Sequence, residues 1–148
     1  MTWVVPGHRE PTARDRDLLG DEIAETYARS GGDGALWHDL AVAEEDPVVA
    51  KMAHSAFFPG SSPLPDLLAE RGIDTVVVTG TVTNVCVEAS VRDASTLGFR
   101  VILVADGCAA MRDRDHNATL HVVYRSYGDV RAASEVLELI DSGVATRR

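Results

Sequence analysis

Cysteine is scarce in this chain: Cys86 and Cys108 are the only two in 148 residues. Met1 runs directly into Thr-Trp-Val-Val-Pro with no export pattern, so the two thiols fit a reducing cytoplasm better than a disulfide scaffold. We therefore expect a cytoplasmic protein. No apolar run approaches the ~20 residues needed to cross a bilayer, so no membrane partner is expected. Long basic stretches are also lacking, and the formal net charge is −9. That balance argues against nucleic acid or an anionic lipid surface as partner, and the acidity reads as a solubility feature. No Cys/His cluster has zinc spacing. His8, His38, His54, His116 and His121 are scattered, and the last two lie five apart, a poor spacing for one helical face. Neither metal nor cofactor is expected. Internal repeats, low-complexity tracts and a second-domain boundary are absent too.

Hydrophobic residues make up 45% of the chain, enough for a packed core, and the length suits one compact domain over residues 1–148. Met1 to Val5 reads as a short strand ending at Pro6-Gly7. Arg9 to Gly34 reads as a polar excursion with one short helix around Asp21 to Ala28 and Gly31-Gly32 near its end. Asp46 to Ala50 is extended and ends at Lys51. Ser55 to Gly60 is rich in turn residues. Ser62-Pro63 opens a helix that Gly72 ends. Ile73 to Thr79 reads as a strand, and its three valines, Val76 to Val78, predict burial on both faces. Phe99 to Ala105 reads as another strand, closing at Asp106-Gly107. Asp115 begins a helix to about Tyr127, and Asp129-Val130 is a short strand. Ser134 caps a last helix to Ile140, and Asp141 to Arg148 reads as a frayed tail. Strands alternating with helices predict an α/β fold of three layers, with a doubly wound, mainly parallel sheet covered by helices on both faces.

Between two of these elements a strand turns directly into a helix. Gly80 permits a sharp turn, Thr83 reads as the N-cap, and helical spacing follows at Val87, Val91, Ala94 and Leu97. Cys86 then lies in the first helical turn, where unpaired N–H groups and the dipole favour a thiolate. A carbonyl carbon above the sulfur would meet a nucleophile with backbone donors nearby. A lone Cys in a helix is more often a small buried apolar residue. The setting keeps the nucleophile reading open beside that one, because ligands of parallel sheets gather at the carboxyl ends of strands.

The quoted residues resemble a known family. Val49-Ala-Lys51, Ser55-Ala-Phe-Phe58, Gly72 to Gly80, Thr81-Val-Thr-Asn-Val-Cys-Val-Glu88, Arg92-Asp-Ala94, Gly98-Phe-Arg-Val101, Asp106, His116-Asn-Ala-Thr-Leu120 and Tyr127-Gly-Asp-Val130 occur in order across residues 48–140. Their order and spacing resemble the isochorismatase-like cysteine hydrolases, which include nicotinamidases, N-carbamoylsarcosine amidases and ureidoacrylate amidohydrolases. The block around Cys86 looks closest to the ureidoacrylate and general amidase branch. The resemblance implies an enzyme that cleaves a C–N bond of a small amide or ureido substrate through a Cys thioester, and it implies a homo-oligomer. Cys86 would be the nucleophile, and Lys51 would favour its thiolate by charge, although a solvated surface lysine is the usual alternative. A non-proline cis peptide would fall between Thr81 and Val82. The N–H groups of Val82 and Cys86 would form an oxyanion hole. Thr81, Asn84, Phe57 and Phe58 are candidate pocket residues, with capping for Asn84 and core packing for the phenylalanines as the plainer roles. Asp106 looks structural, and His116 reads as a cap or as satisfying a buried polar group rather than as a ligand.

One part of the pattern has no counterpart. Family members begin with an apolar strand ending in Asp, the acid/base of a Cys–Asp–Lys triad. Thr2 to Val5 matches the second family strand better, and Asp15, Asp17 and Asp21 follow no apolar strand. The first, central strand is therefore expected to be missing. We expect an N-terminally shortened chain, ahead of a sheet closed around the loss or a strand lent by a partner. Two further readings stay open: a non-catalytic member of the fold that binds a small molecule or assembles with a partner, and an isochorismate-type vinyl-ether hydrolase.

Overall fold

The computed structural model describes residues 1–8, 10–29 and 36–143. Gly31-Gly32 and residues 144–148, part of the expected tail, lie outside the described residues. The chain divides into two compact units, Met1–Leu64 and Pro65–Arg148.

In the first unit, strands β1 (Trp3–Pro6) and β2 (Val48–Lys51) pair in parallel, with Trp3 opposite Val48 and Pro6 opposite Lys51. Val5 and Val49 carry the buried face. The Trp3 indole donates to the Asp46 carboxylate at 3.1 Å, tying the start of β1 to the residues that lead into β2. Between these strands lie two helices, α1 (Ala13–Leu19) and α2 (Asp21–Arg29), where the sequence predicted one. Helix α1 buries no residue, so it has no hydrophobic period to read. A capping box starts it instead: the Thr12 hydroxyl accepts from the Asp15 N–H at 3.2 Å, and the Asp15 carboxylate accepts from the Thr12 N–H at 2.8 Å. Arg16 then bridges to Glu25 of α2 at 2.7 Å.

The second unit holds α3 (Leu64–Glu70), most of whose length lies in this unit, and three parallel strands in the order β3 (Thr75–Thr81), β4 (Arg100–Ala109), β5 (Asp129–Arg131). Helices α4 (Glu88–Thr96), α5 (Asp113–Ser126) and α6 (Ala133–Asp141) flank this sheet, and all three contact β4. The parallel, helix-flanked α/β architecture is the expected one. Val91, Leu103 and Val123 are fully buried where α4, β4 and α5 meet. Each such burial is worth about 1.5–3 kcal/mol. Close packing also explains Gly128. A Cβ there would stand 2.4 Å from the Val101 carbonyl oxygen, a backbone atom that cannot step aside.

Three expectations need correction. β3 is not buried on both faces: Val77 is 44% exposed, because among the described residues β3 pairs only with β4 and forms an edge of its sheet. Both long strands also run further than predicted, β3 to Thr81 and β4 past Asp106-Gly107 to Ala109. Ser134 does not cap α6. Ala132 holds that position, its N–H donates to Glu135 at 3.0 Å, and the Ala133 N–H donates to Asp106 at 2.7 Å. Asp106 is thus structural, as the resemblance implied.

Candidate active site

β3 reaches its carboxyl end through an irregularity. Its register against β4 shifts between Val78 and Gly80, and Gly80 takes φ 119°, a conformation that side chains resist. Cys108 of β4 stands opposite Gly80. Its thiol lies 4.0 Å from the Val78 carbonyl oxygen, and burial pushes its pKa up. The next peptide bond, Thr81–Val82, is cis.

The chain then enters a π-helical turn, Thr83–Val87, before α4 begins at Glu88. Two bonds define the wide turn: Val87 N–H to the Val82 carbonyl at 3.4 Å, and Glu88 N–H back to the Thr83 carbonyl. Single π turns inside helices are rare and gather at functional sites. Cys86 occupies this turn and is half-buried. Val82, in extended conformation, is the N-cap, and no side chain caps the turn, which corrects the capping roles expected of Thr83 and Asn84. Asn84 is exposed, whereas Thr83 is fully buried. The Thr83 hydroxyl shares a 3.0 Å hydrogen bond with His116 Nδ1 of α5. His116 does satisfy a buried polar group.

Glu88, two residues beyond the cysteine, is held three ways. Its Oε1 accepts from Arg92 Nε at 2.9 Å and Nη2 at 2.6 Å, and its Oε2 accepts from the Thr119 hydroxyl at 2.6 Å. The Glu88 carboxylate raises the pKa of Arg92 further above its ordinary range. Arg92 also donates to the Tyr127 hydroxyl and lies 4.4 Å from the centre of that ring.

Thr81, Val82, Asn84 and Cys86 thus fall together at one strand-to-helix turn. Lys51, Phe57 and Phe58 belong to the first unit. Lys51 ends β2, half-buried, and its Nζ donates to the Ala53 carbonyl at 2.9 Å. The phenylalanines split: Phe57 is buried and Phe58 is 56% exposed. Serines fix this loop. Ser55 Oγ accepts from the N–H groups of Phe57 and Phe58 at 3.0 and 3.1 Å, and Ser61 Oγ donates to the Ser55 carbonyl at 2.7 Å. A groove of about 610 Å³, lined in part by Thr75, Phe99 and Tyr124, opens at the amino end of β3, the opposite end from Cys86. Among the described residues no group of three or more His, Cys, Asp or Glu side chains is placed to hold a metal, and no helix is long and apolar enough to cross a membrane.

The isochorismatase domain family model matches residues 2–135. The chain belongs to the isochorismatase family. Its family relatives include a maleamate amidohydrolase of Pseudomonas putida, 40% identical over 92 residues that make up 62% of this chain and 42% of that protein. A ureidoacrylate amidohydrolase of Klebsiella pneumoniae is 40% identical over 95 residues, 64% of this chain and 38% of that one. Among solved structures, a cysteine hydrolase from Pseudomonas syringae pv. phaseolicola matches with a TM-score of 0.82 at 30% identity, covering 95% of this chain and 71% of that chain. The chain spans about half, or less, of the length of the first curated relatives it matches.

Sequence reading missed the two anchors of the Cys86 turn, Thr83–His116 and Glu88–Thr119. They join residues 33 and 31 positions apart. The available signal was the polar Thr83 and Glu88 flanking the cysteine, opposite the three-residue spacing of His116 and Thr119 on a helix.

Proposed function

We propose that this chain carries the nucleophile of a cysteine hydrolase that cleaves a C–N bond of a small amide or ureido compound. The observation that supports it most is the seat of Cys86 in a π-helical turn at the carboxyl end of a parallel strand. The amidohydrolase relatives supply the substrate class. The resemblance implies a carboxylate base that takes the Cys86 proton and a charge at Lys51 that favours the thiolate. Sulfur bonds to the carbonyl carbon, and the oxyanion is held by the N–H groups of Val82 and Cys86. The C–N bond breaks as the base returns its proton to the leaving amine. Water then cleaves the thioester, giving the acid and restoring the thiol.

The acid/base Asp that the resemblance implies has no matching position in this sequence. Asp15 is engaged in capping α1, and Asp21 faces Arg16 at 3.4 Å. A second reading is a non-catalytic member of the fold that binds a small carbonyl compound without turnover. Ammonia release from a panel of small amides and ureido acids separates the two. Turnover that falls on the order of 10⁴-fold or more in Cys86→Ala supports the hydrolase. Binding without turnover, by wild-type protein whose Cys86 is labelled by a chloroacetamide no faster than Cys108, overturns it. Hydrolysis of a vinyl ether such as isochorismate, undiminished in Cys86→Ala, would point to vinyl-ether chemistry instead.

A further inference from the structure

The geometry points to α5 as the element that positions the nucleophile, with His116 and Thr119 as positioning residues acting through Thr83 and Glu88. The inference rests on the reading of Cys86 as a nucleophile. His116 and Thr119 lie three apart on α5 and so share a face. Their partners bracket the cysteine: Thr83 stands three residues before Cys86 and Glu88 two after. The turn is therefore pinned on both sides of the sulfur by one rigid helix.

The second anchor closes on itself. Thr119 donates to Glu88, Glu88 accepts from Arg92, and Arg92 donates to Tyr127, the C-terminal cap of the same α5. Both Glu88 oxygens are committed in this circuit. The first anchor is part-buried: Thr83 has no exposed surface and His116 is half-buried. Such pinning has a physical purpose. A π-helical turn is the less favoured form, and an unanchored segment would relax toward ordinary i→i−4 bonding. Removing one residue from the turn would swing Cys86 by roughly 100° about the helix axis. A sulfur so displaced would no longer face a carbonyl carbon held at the strand ends, and small misplacements of reacting groups are costly in rate.

The test uses the full chain and iodoacetamide as probe, with peptide mapping to separate Cys86 from Cys108. The quantity read is the ratio of the two alkylation rates. Thr83→Val keeps the shape and removes the hydroxyl, and is expected to lower the ratio about ten- to a hundredfold. Thr83→Ser keeps the hydroxyl, and is expected to restore the ratio even where it lowers the thermal midpoint. Thr119→Val is expected to lower it as Thr83→Val does. His116→Leu removes the same bond from the half-buried α5 side, and a thermal melt of each variant guards against misfolding. His116→Leu combined with Thr83→Val should do no more than either change alone, because both remove one bond. Folded variants with an unchanged ratio would overturn the inference, as would Thr83→Ser behaving like Thr83→Val. Failure of the hydrolase reading looks different: no small amide is turned over, yet the ratio still responds to these variants. Equal sluggish labelling of both cysteines in wild-type protein would remove both.

Discussion

At the scale of single residues, the second unit is decided by close approach. Gly128 follows the C-cap of α5, where the chain must pass directly beside the backbone of β4. The nearest atoms to an added Cβ belong to Val101, at 2.4 Å for its carbonyl oxygen and 3.0 Å for its Cβ. The oxygen belongs to a ladder strand, so relief would require α5 and β4 to separate. Gly128→Ala is expected to cost about 1–3 kcal/mol by overpacking. Urea unfolding of the variant would show it as a lower midpoint at unchanged slope. A midpoint equal to wild type would mean that the α5–β5 connection yields more readily than its contacts indicate.

Among the elements, α4 shows what a periodic pattern can and cannot tell. Val87, Val91, Ala94 and Leu97 have helical spacing, and the first three are buried while Leu97 is 51% exposed. Val91→Ala is expected to cost about 1.5–3 kcal/mol, since its side chain is fully buried. Leu97→Ala should stay within about 0.5 kcal/mol. Paired thermal melts check the contrast, and equal losses would contradict it. The helix was legible because its stripe is local. The exposure of Val77 was not, because Val76 to Val78 and the β4 run Val101 to Val104 are alike in composition, and only their places in the sheet differ. Helix α1 escaped notice for the opposite reason: it is held by a capping box and ion pairs, with no apolar face to detect. The position of Cys86 could be read from the strand, Gly80 and the residues beyond. Its π geometry and its anchors on α5 depend on residues more than 30 positions away, which no local pattern reports.

Over the whole molecule, acidity and ion pairing pull stability in opposite directions as pH falls. A net charge of −9 repels itself at neutral pH, and protonation relieves that repulsion. Some carboxylates resist protonation because the fold engages them. The Asp74 carboxylate receives two hydrogen bonds from Arg100 Nη2, each at 2.8 Å, and that guanidinium, with the Thr75 hydroxyl second, holds its pKa below the ordinary 3.8. A value depressed by folding adds stability above the unfolded pKa and loses it as pH falls through the folded one. Wild-type protein should therefore hold or gain stability from pH 7 toward about 5, then lose the Asp74 contribution below 3.8. Arg100→Gln should lie below wild type by a constant small offset above that range and converge on it below. The pair is solvent-exposed, so the offset should shrink further in 1 M salt. Thermal midpoints of the two proteins from pH 2 to 7, at low and high salt, carry the comparison. Curves that stay parallel down to pH 2 would show that Arg100 supports the β3–β4 start by packing rather than by its charge.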